Sequence, residues 1–233
     1  MITSNVFHRV FQIRTETGTA TAFTIDHNER QYVVTAKHVA MGNQATSGLQ
    51  IYHEAQWKFL EAELVGHADG EIDISVLAPS IQISPTLELP ATTHGIVFGQ
   101  DLYFLGFPYG LKTEVGPLNR QFPLPLVKKG ILSALLPPTD GAEILLIDGH
   151  NNHGFSGGPV VYSQAGANPQ YKVAGVISGY RSHAEPIFHA EQQTPLMYHA
   201  NTGIVVAYSI RHAIDLIDSN PIGVPVLSRD KSV

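Results

Sequence analysis

The chain's 233 residues are 43% hydrophobic and only 15% charged, against about 25% charged residues in average domains, which predicts a folded protein with a large core. The formal charge is −6 and no basic run is longer than the pair of Lys128 and Lys129, so nucleic acid is excluded as an expected partner. No apolar stretch approaches the roughly 18 to 20 residues that span a bilayer, and the N-terminal residues have no signal-peptide pattern. We therefore expect a cytoplasmic protein with no membrane partner.

The chain contains no cysteine, which removes disulfides, thiolate nucleophiles and cysteine-ligated zinc or iron–sulfur clusters. Covalent catalysis would have to use a hydroxyl, an amine, a carboxylate or an imidazole. His150 and His153 stand close together, but on a loop they lack a third ligand in fixed register. No metal and no cofactor are therefore predicted.

Short β-branched and aromatic runs alternate with the chain's 21 glycines and 15 prolines, a pattern typical of an all-β sandwich or barrel. The first set of predicted strands comprises residues 5–14, 19–25, 31–35, 49–52, 59–65 and 74–78. After a proline-containing connection at 85–95, the second set comprises residues 102–107, 127–134, 143–147, 159–162, 171–178 and 203–208. Two β units of similar size are therefore expected.

One helix is predicted near the end of the chain. Ser209 can act as its N-cap, apolar residues then recur at spacings of three and four, and Asn220 with Pro221 ends it. We expect this helix to pack one face against the core.

The segment from Gly116 to Pro138 differs from the rest because prolines interrupt it repeatedly. Its first part is predicted to be a long loop, in which Phe122, Leu124 and Leu126 would leave apolar side chains near the surface. Such a loop could simply cover one end of the β structure, or it could dock an activating or regulatory partner.

Ser156 lies in the most informative stretch of the sequence, residues 154–159, where three glycines surround it. A serine hydroxyl is a poor nucleophile unless a base takes its proton and oriented N–H groups stabilise the developing oxyanion. A glycine two residues before the serine can adopt the turn that directs its own N–H and that of the serine into one pocket. The backbone N–H groups of Gly154 and Ser156 are therefore the predicted oxyanion hole.

The same residues also satisfy the G-x-S-x-G nucleophile elbow of α/β-hydrolases. An elbow requires a helix directly after the serine, yet here the glycines lead into the strand-like run that begins at Val160. The downstream acid-then-histidine choice is Glu185 or Glu191 with His212, and His212 falls inside the predicted terminal helix. The context therefore disfavours the elbow.

Upstream of the serine, His38 follows an apolar strand and Asp73 begins another. With Thr-Ala-x-His at His38, Asp-Ile-x-Val-Leu at Asp73 and Gly-x-Ser-Gly-Gly-Pro at Ser156, in that order, the sequence resembles the chymotrypsin-like serine proteases. Within that clan it is most similar to the bacterial HtrA-like protease domain without a PDZ domain, on the motifs at residues 18–20, 105–110 and 130–134. The resemblance covers about residues 18–217.

The resemblance implies an all-β double β-barrel with the active site between the barrels. The N-terminal barrel, residues 1–95, would carry His38 and Asp73, and the C-terminal barrel, residues 96–208, would carry Ser156. The helix at 209–220 and a tail at 221–233 would complete a single protease unit.

The implied activity is that of a serine endopeptidase, which cleaves protein or peptide substrates through a catalytic triad and an acyl-enzyme. His38 would be the general base, Asp73 would hold its Nδ1 proton, and Ser156 would be the nucleophile. Asp69 is the rival acid, but Asp69 followed by glycine predicts a turn. Lys37, beside His38, is expected to point to solvent.

The resemblance also implies substrate-binding residues. Ser178 would hydrogen-bond the buried aspartate, and the strand edge at Ser178, Gly179 and Tyr180 would pair with an extended substrate. His150, six residues before the serine, occupies the position where trypsin-like relatives carry an acid for Lys or Arg, so cleavage after small or medium apolar residues is expected. The alternative function is a catalytically inactive trypsin-like scaffold that binds a peptide or a partner protein.

Overall fold

The computed structural model describes residues 2–16, 18–42, 47–116, 121–139, 141–163 and 170–227. In chain order its helices and strands are α1 (Ser4–Phe7), β1 (Val10–Thr15), β2 (Gly18–His27), β3 (Arg30–Thr35), α2 (Lys37–Gly42), β4 (Gly48–His53), β5 (Gln56–His67), β6 (Ser75–Pro79), β7 (Asp101–Gly106), a 3₁₀ turn (Pro108–Gly110), β8 (Leu126–Thr139), β9 (Ala142–Asp148), β10 (Pro159–Ser163), β11 (Tyr171–His189), β12 (Gln192–Ser209), α3 (Arg211–Ser219) and β13 (Val224–Pro225).

The strands form two antiparallel units. The first is a sheet in the order β13-β3-β2-β1-β4-β5-β6, and an additional pairing between β3 and β6 brings its two sides together. The second is a closed barrel in the order β10-β11-β12-β9-β8-β7. The prediction of an all-β, chymotrypsin-like double barrel with a C-terminal helix is confirmed.

Three clusters of buried apolar side chains hold these units together. One fills the N-terminal unit around Phe11 and Leu49, and a second fills the C-terminal barrel around Phe104 and Ile147. The third joins the two units and α3, because it contains residues of β2, β7, β11 and the helix, among them Phe23, Leu105, Val176 and Ile217. The cleft between the units is therefore fixed by a shared core.

Each predicted strand has a counterpart, but the prediction for residues 5–14 is wrong at its start. Residues 4–7 form the short helix α1, and the strand begins only at Val10. Between them Arg9 is 1% exposed and its guanidinium lies 2.6 Å from the Asp26 carboxylate. A pattern of apolar residues cannot predict that an arginine is buried in an ion pair with a partly exposed aspartate.

The hairpin of β11 and β12 extends far beyond the predicted ends at residues 178 and 203. It runs out to His189 and returns from Gln192 through a two-residue turn in which Ala190 and Glu191 have φ of 47° and 66°. Most of the side chains between residues 181 and 202 are exposed. Because neither face of this ribbon is buried, it lacks the alternation of polar and apolar residues that predicts a strand.

The terminal helix begins slightly later than predicted. Ile210 occupies the N-cap position, without a side-chain cap, and the Ser209 hydroxyl accepts a hydrogen bond of 3.3 Å from the Arg211 N–H. Ala213 and Ile217 are fully buried against the core, as expected for this helix.

The expectation that Phe122, Leu124 and Leu126 lie near the surface is wrong for Phe122, whereas Leu124 and Leu126 are partly exposed. Phe122 is 8% exposed and its ring packs 5.6 Å from that of Phe11 in the N-terminal unit. Leu124 packs against the same cluster and Leu126 against the core of the C-terminal barrel. The described part of this segment therefore covers the protein's own core, and residues 117–120 lie outside the described residues.

Candidate active site

The ring of His38 and the carboxylate of Asp73 meet at the edge of the N-terminal unit. His38 lies in the first turn of α2 and its Nδ1 is 2.7 Å from Asp73 Oδ2. The backbone N–H of His38 donates to Asp73 Oδ1 at 2.8 Å, so both carboxylate oxygens are engaged by the same residue. This double contact fixes the plane of the carboxylate relative to the ring.

The Asp73 carboxylate also accepts a hydrogen bond of 2.6 Å from the Ser178 hydroxyl, on β11 of the other barrel. Burial disfavours the charge of Asp73, but the hydrogen bonds from the His38 ring, the Ser178 hydroxyl and the His38 N–H outweigh it and lower the pKa of the carboxyl below its usual value. Asp73 is therefore an anion that joins the two barrels at the cleft.

Lys37 and Asp69 lie beside this pair. The expectation that Lys37 points to solvent is wrong, because its Nζ donates to the carbonyls of Ala68 and Gly70 at 2.9 and 2.7 Å. Asp69 is exposed in that turn, as predicted, and its own carbonyl accepts the N–H of Ile72. Lys37 thus stabilises the loop that leads into Asp73.

Ser156 lies in the turn before β10, across the cleft from His38. Its hydroxyl donates to the carbonyl of Ser178 at 3.1 Å. Gly157, with φ of +82°, has its Cα so close to β2 and β3 that an added Cβ would lie 2.1 Å from the Thr21 carbonyl oxygen. The glycine after the serine is therefore required by space as well as by backbone conformation.

The backbone around Ser156 is held by hydrogen bonds from β2. The Thr21 hydroxyl donates to the carbonyl of Gly154 at 2.7 Å, and the Thr21 N–H donates to the carbonyl of Ser156 at 3.0 Å. Gly154 has φ of +104°, and a Cβ there would lie 2.5 Å from the Phe107 carbonyl oxygen. The N-terminal unit therefore sets the conformation of the loop that carries the serine.

The N–H groups of Gly154 and Ser156 are oriented by the carbonyls of their own peptide planes. The His153 carbonyl accepts the N–H of Tyr109 at 2.9 Å, and the Phe155 carbonyl accepts that of Gly158 at 2.8 Å. Because a trans peptide points its N–H opposite to its carbonyl, both N–H groups face away from those partners. Among the described residues, neither N–H donates to a protein acceptor.

The four residues predicted to bind substrate lie on two sides of the loop. Ser178, Gly179 and Tyr180 are partly exposed on β11, and a Cβ added to Gly179 would meet nothing within 4 Å. The Tyr180 ring contacts the His153 ring edge to face, with 6.4 Å between centroids. His150 is exposed, and its carbonyl, not its ring, makes the described contact.

A cavity of about 750 Å³ opens directly on His38 and Ser156. Its other walls come from the β1–β2 turn, the 3₁₀ turn and the loop before the serine, including Glu16, Tyr109 and His153. The two barrels thus enclose a cleft with room for several residues of an extended chain.

Residues 20–167 match the family model of the trypsin-like peptidase domain. The chain belongs to the trypsin-like peptidase family. No curated protein sequence matches it. Solved structures show the same fold. One is the inactive form of Rv3671c from M. tuberculosis H37Rv, crystallised as a serine-to-alanine mutant, which gives a TM-score of 0.58 at 19% sequence identity. The match covers 95% of this chain and 91% of that one. The HtrA-type protease AlgW with a tripeptide gives 0.59 at 23% identity over 93% of this chain and 61% of AlgW.

The family's architecture also decides against the α/β-hydrolase elbow. After Ser156 the chain passes through two glycines straight into the strand β10, where an elbow requires a helix.

Within the described ranges no helix is long and apolar enough to cross a membrane.

Sequence reasoning missed two residues of this trypsin-like peptidase domain that contact the serine loop. Thr21 binds it from β2, and Lys128 binds it from β8 through the His150 carbonyl and the Asn152 side chain. Neither belongs to a motif, and each lies far along the chain from the loop it holds. Only the three-dimensional structure brings them together with it.

Proposed function

We propose that this trypsin-like peptidase domain is a serine endopeptidase that hydrolyses peptide bonds through His38, Asp73, Ser156 and an acyl-enzyme intermediate. The observation that carries the proposal is the hydrogen-bonded line from the His38 ring through Asp73 to Ser178, beside the hydroxyl of Ser156. Its members come from both barrels, and the cavity opens on both the histidine and the serine.

In the acylation step, the Asp73 carboxylate accepts the Nδ1–H of His38, which leaves the Nε2 lone pair free to act as a base. Nε2 takes the proton of Ser156 while Oγ attacks the scissile carbonyl carbon. The tetrahedral intermediate then collapses, the C–N bond breaks, and Nε2 gives the proton to the leaving amine. In deacylation, water repeats the sequence in place of the serine and releases the acid.

The N–H groups of Gly154 and Ser156 would stabilise the oxyanion during both steps, because among the described residues neither of them donates to a protein acceptor. Ser178 would connect substrate binding to this chemistry. An extended substrate along β11 can donate its backbone N–H to the Ser178 carbonyl, which at present accepts the Ser156 hydroxyl. The substrate would then release the serine hydroxyl toward His38.

The substrate side chain before the cut is proposed to be small or medium and apolar. A lysine or arginine would lose hydration on entry, a cost of several kcal/mol without a paired acid. His150 stands where that acid would be expected, and the ring of Tyr180 contacts that of His153, which lines the cavity. An apolar side chain instead gains about 25 cal/mol for each Å² that it buries.

A catalytically inactive scaffold that binds a peptide is the second candidate. The observation that favours it is that the Ser156 hydroxyl donates to the Ser178 carbonyl and makes no described hydrogen bond to His38. On this alternative the cleft would hold an extended peptide without cleaving it.

A digest of a proteome-derived peptide library by the purified protein separates the two, with the products read by mass spectrometry. The endopeptidase should generate new termini after Val, Ala, Leu or Thr, and Ser156→Ala should reduce the rate by about 10⁴-fold or more. Ser133→Ala is the matched control, because Ser133 is an exposed serine on β8.

Three results would count against different parts of the proposal. Cleavage that survives in the Ser156→Ala protein would exclude Ser156 as the nucleophile. Binding of library peptides without any new termini would support the scaffold. A dominant preference for Lys or Arg would overturn only the specificity pocket.

A further inference from the structure

Lys128 makes an unusual set of contacts for a lysine on a barrel strand. Its Nζ donates to the backbone carbonyl of His150 and to Oδ1 of Asn152, and it lies 5.5 Å from the centroid of the Phe155 ring. All three partners belong to the segment 150–155, which leads directly into Ser156. One ammonium group therefore binds the start, the middle and the end of this segment.

The environment of Lys128 indicates an ordering role. No carboxylate in the described parts of the chain forms an ion pair with it, so only neutral oxygens and an aromatic face compensate its charge. Burial lowers the pKa of the Lys128 ammonium below its usual value. Hydrogen bonds from a charged donor that is partly withdrawn from water are stronger than neutral ones, typically by about twofold.

The segment that Lys128 binds is the one that carries the Gly154 N–H. Its other described restraints include the Asn201 amide on the Asn151 carbonyl at 2.9 Å, the Tyr109 N–H on the His153 carbonyl at 2.9 Å, the Asn152 amide on the Tyr109 hydroxyl at 3.3 Å and the Thr21 hydroxyl on the Gly154 carbonyl. The Phe155 ring is fully buried against Phe104, which anchors only the end of the segment. Without Lys128, the His150 carbonyl would lose its described donor, and the stretch 150–152 would keep the Asn201 bond to the Asn151 carbonyl and two longer bonds of 3.3 Å at Asn152.

We propose that Lys128 is a positioning residue, whose ammonium holds the segment 150–155 so that the N–H groups of Gly154 and Ser156 face the substrate carbonyl. This inference rests on the proposed endopeptidase function. It assigns to a cation on β8 the task of keeping the oxyanion-binding loop in its active conformation.

Three variants test the proposal. Lys128→Met removes the charge and the donors and keeps a chain of similar length, and Lys128→Arg restores both charge and donors. Lys129→Met is the matched control, because Lys129 is the next residue on the same strand and pairs with Asp101 at 2.8 Å on the surface. Urea unfolding of each variant first establishes that it is folded.

Loss of a whole oxyanion donor reduces kcat by about 10² to 10³. For Lys128→Met we expect a decrease in kcat of about 10- to 100-fold with KM changed less than about threefold, and partial recovery in Lys128→Arg. A role limited to stability would instead lower the unfolding free energy and leave kcat of the folded protein unchanged. Lys129→Met should match the parent.

Hydrogen–deuterium exchange of the peptide that contains residues 150–156 gives a readout that does not depend on activity. Lys128→Met should increase its exchange rate, whereas Lys129→Met should not. Unchanged exchange in Lys128→Met, or kcat equal to that of Lys129→Met, would overturn the role of Lys128. Increased exchange in a protein whose parent cleaves nothing would support the positioning and contradict the endopeptidase.

Discussion

Replacing Thr21 by valine should lower the free energy of unfolding substantially, although the two side chains have nearly the same shape. The Thr21 side chain is fully buried; its hydroxyl donates to the Gly154 carbonyl at 2.7 Å and accepts the Phe107 N–H at 3.1 Å. Valine has nearly the same volume, but its side chain can neither donate nor accept a hydrogen bond. The Gly154 carbonyl and the Phe107 N–H would therefore both lose their partner. Each unsatisfied buried group costs about 1 to 3 kcal/mol, so the two groups give about 2 to 6 kcal/mol for Thr21→Val.

The assay is urea denaturation of the parent, Thr21→Val and Thr21→Ser, with the midpoint and the m-value fitted for each. Thr21→Ser keeps the hydroxyl and loses one methyl group, so it should cost only about 1 kcal/mol. Because a domain of ordinary stability has about 5 to 15 kcal/mol in total, the valine variant should show a large decrease in midpoint. A valine variant within about 0.5 kcal/mol of the parent would refute the claim that this hydroxyl serves both groups.

Two further changes test other parts of the fold. Arg9→Met removes a buried guanidinium that binds the Asp26 carboxylate at 2.6 Å and the Pro85 and Leu87 carbonyls at 2.8 Å each, so it should cost about 3 kcal/mol or more in urea unfolding; a loss below about 1 kcal/mol would contradict it. His212 is buried, and its Nε2 accepts the backbone N–H of Glu143 on β9. Burial lowers the pKa of the His212 imidazole. Since the unfolded chain then binds the proton more tightly, stability should fall as pH decreases through about 6.5, and His212→Gln should flatten that slope; an unchanged slope would contradict the assignment.

The residues that could be predicted from the sequence belong to short motifs in which the local chain dictates the conformation. His38, Asp73 and Ser156 each follow or precede a strand, and the glycine after the serine is required where the turn approaches β2. The choice of Asp73 over Asp69 also followed from local sequence, since an Asp-Gly pair favours an exposed turn. The motifs therefore predicted three residues that lie near one another in the structure, where His38 binds Asp73 and the cavity opens on His38 and Ser156.

The features that could not be predicted depend on contacts between distant parts of the chain. Lys37 looked like a surface lysine, but its ammonium binds two carbonyls of the turn around Gly70. Phe122 looked exposed because its neighbours are prolines, yet the N-terminal unit covers it. In each case the side chain contacts residues that are distant in the sequence, so the neighbouring residues do not predict its environment.

The pairing of β11 with β12 shows the same limit for secondary structure. Up to Tyr180 the strand is partly buried and its apolar pattern is visible, whereas beyond it the ribbon is exposed and its sequence is mixed. Its turn at Ala190 and Glu191 has no glycine, although both residues have positive φ. Turn chemistry that usually marks a hairpin was therefore missing.

The measurement that tests the central claim most directly is labelling with a fluorophosphonate, followed by tandem mass spectrometry of the proteolytic peptides. Such a probe reacts with a serine hydroxyl that an adjacent base activates, and the phosphorus–oxygen bond forms as fluoride leaves. We predict one adduct, on Ser156, that is lost in His38→Ala and retained in Ser133→Ala. A folded protein that forms no adduct, or an adduct on any other serine that persists without His38, would contradict the assignment of Ser156 as the activated nucleophile.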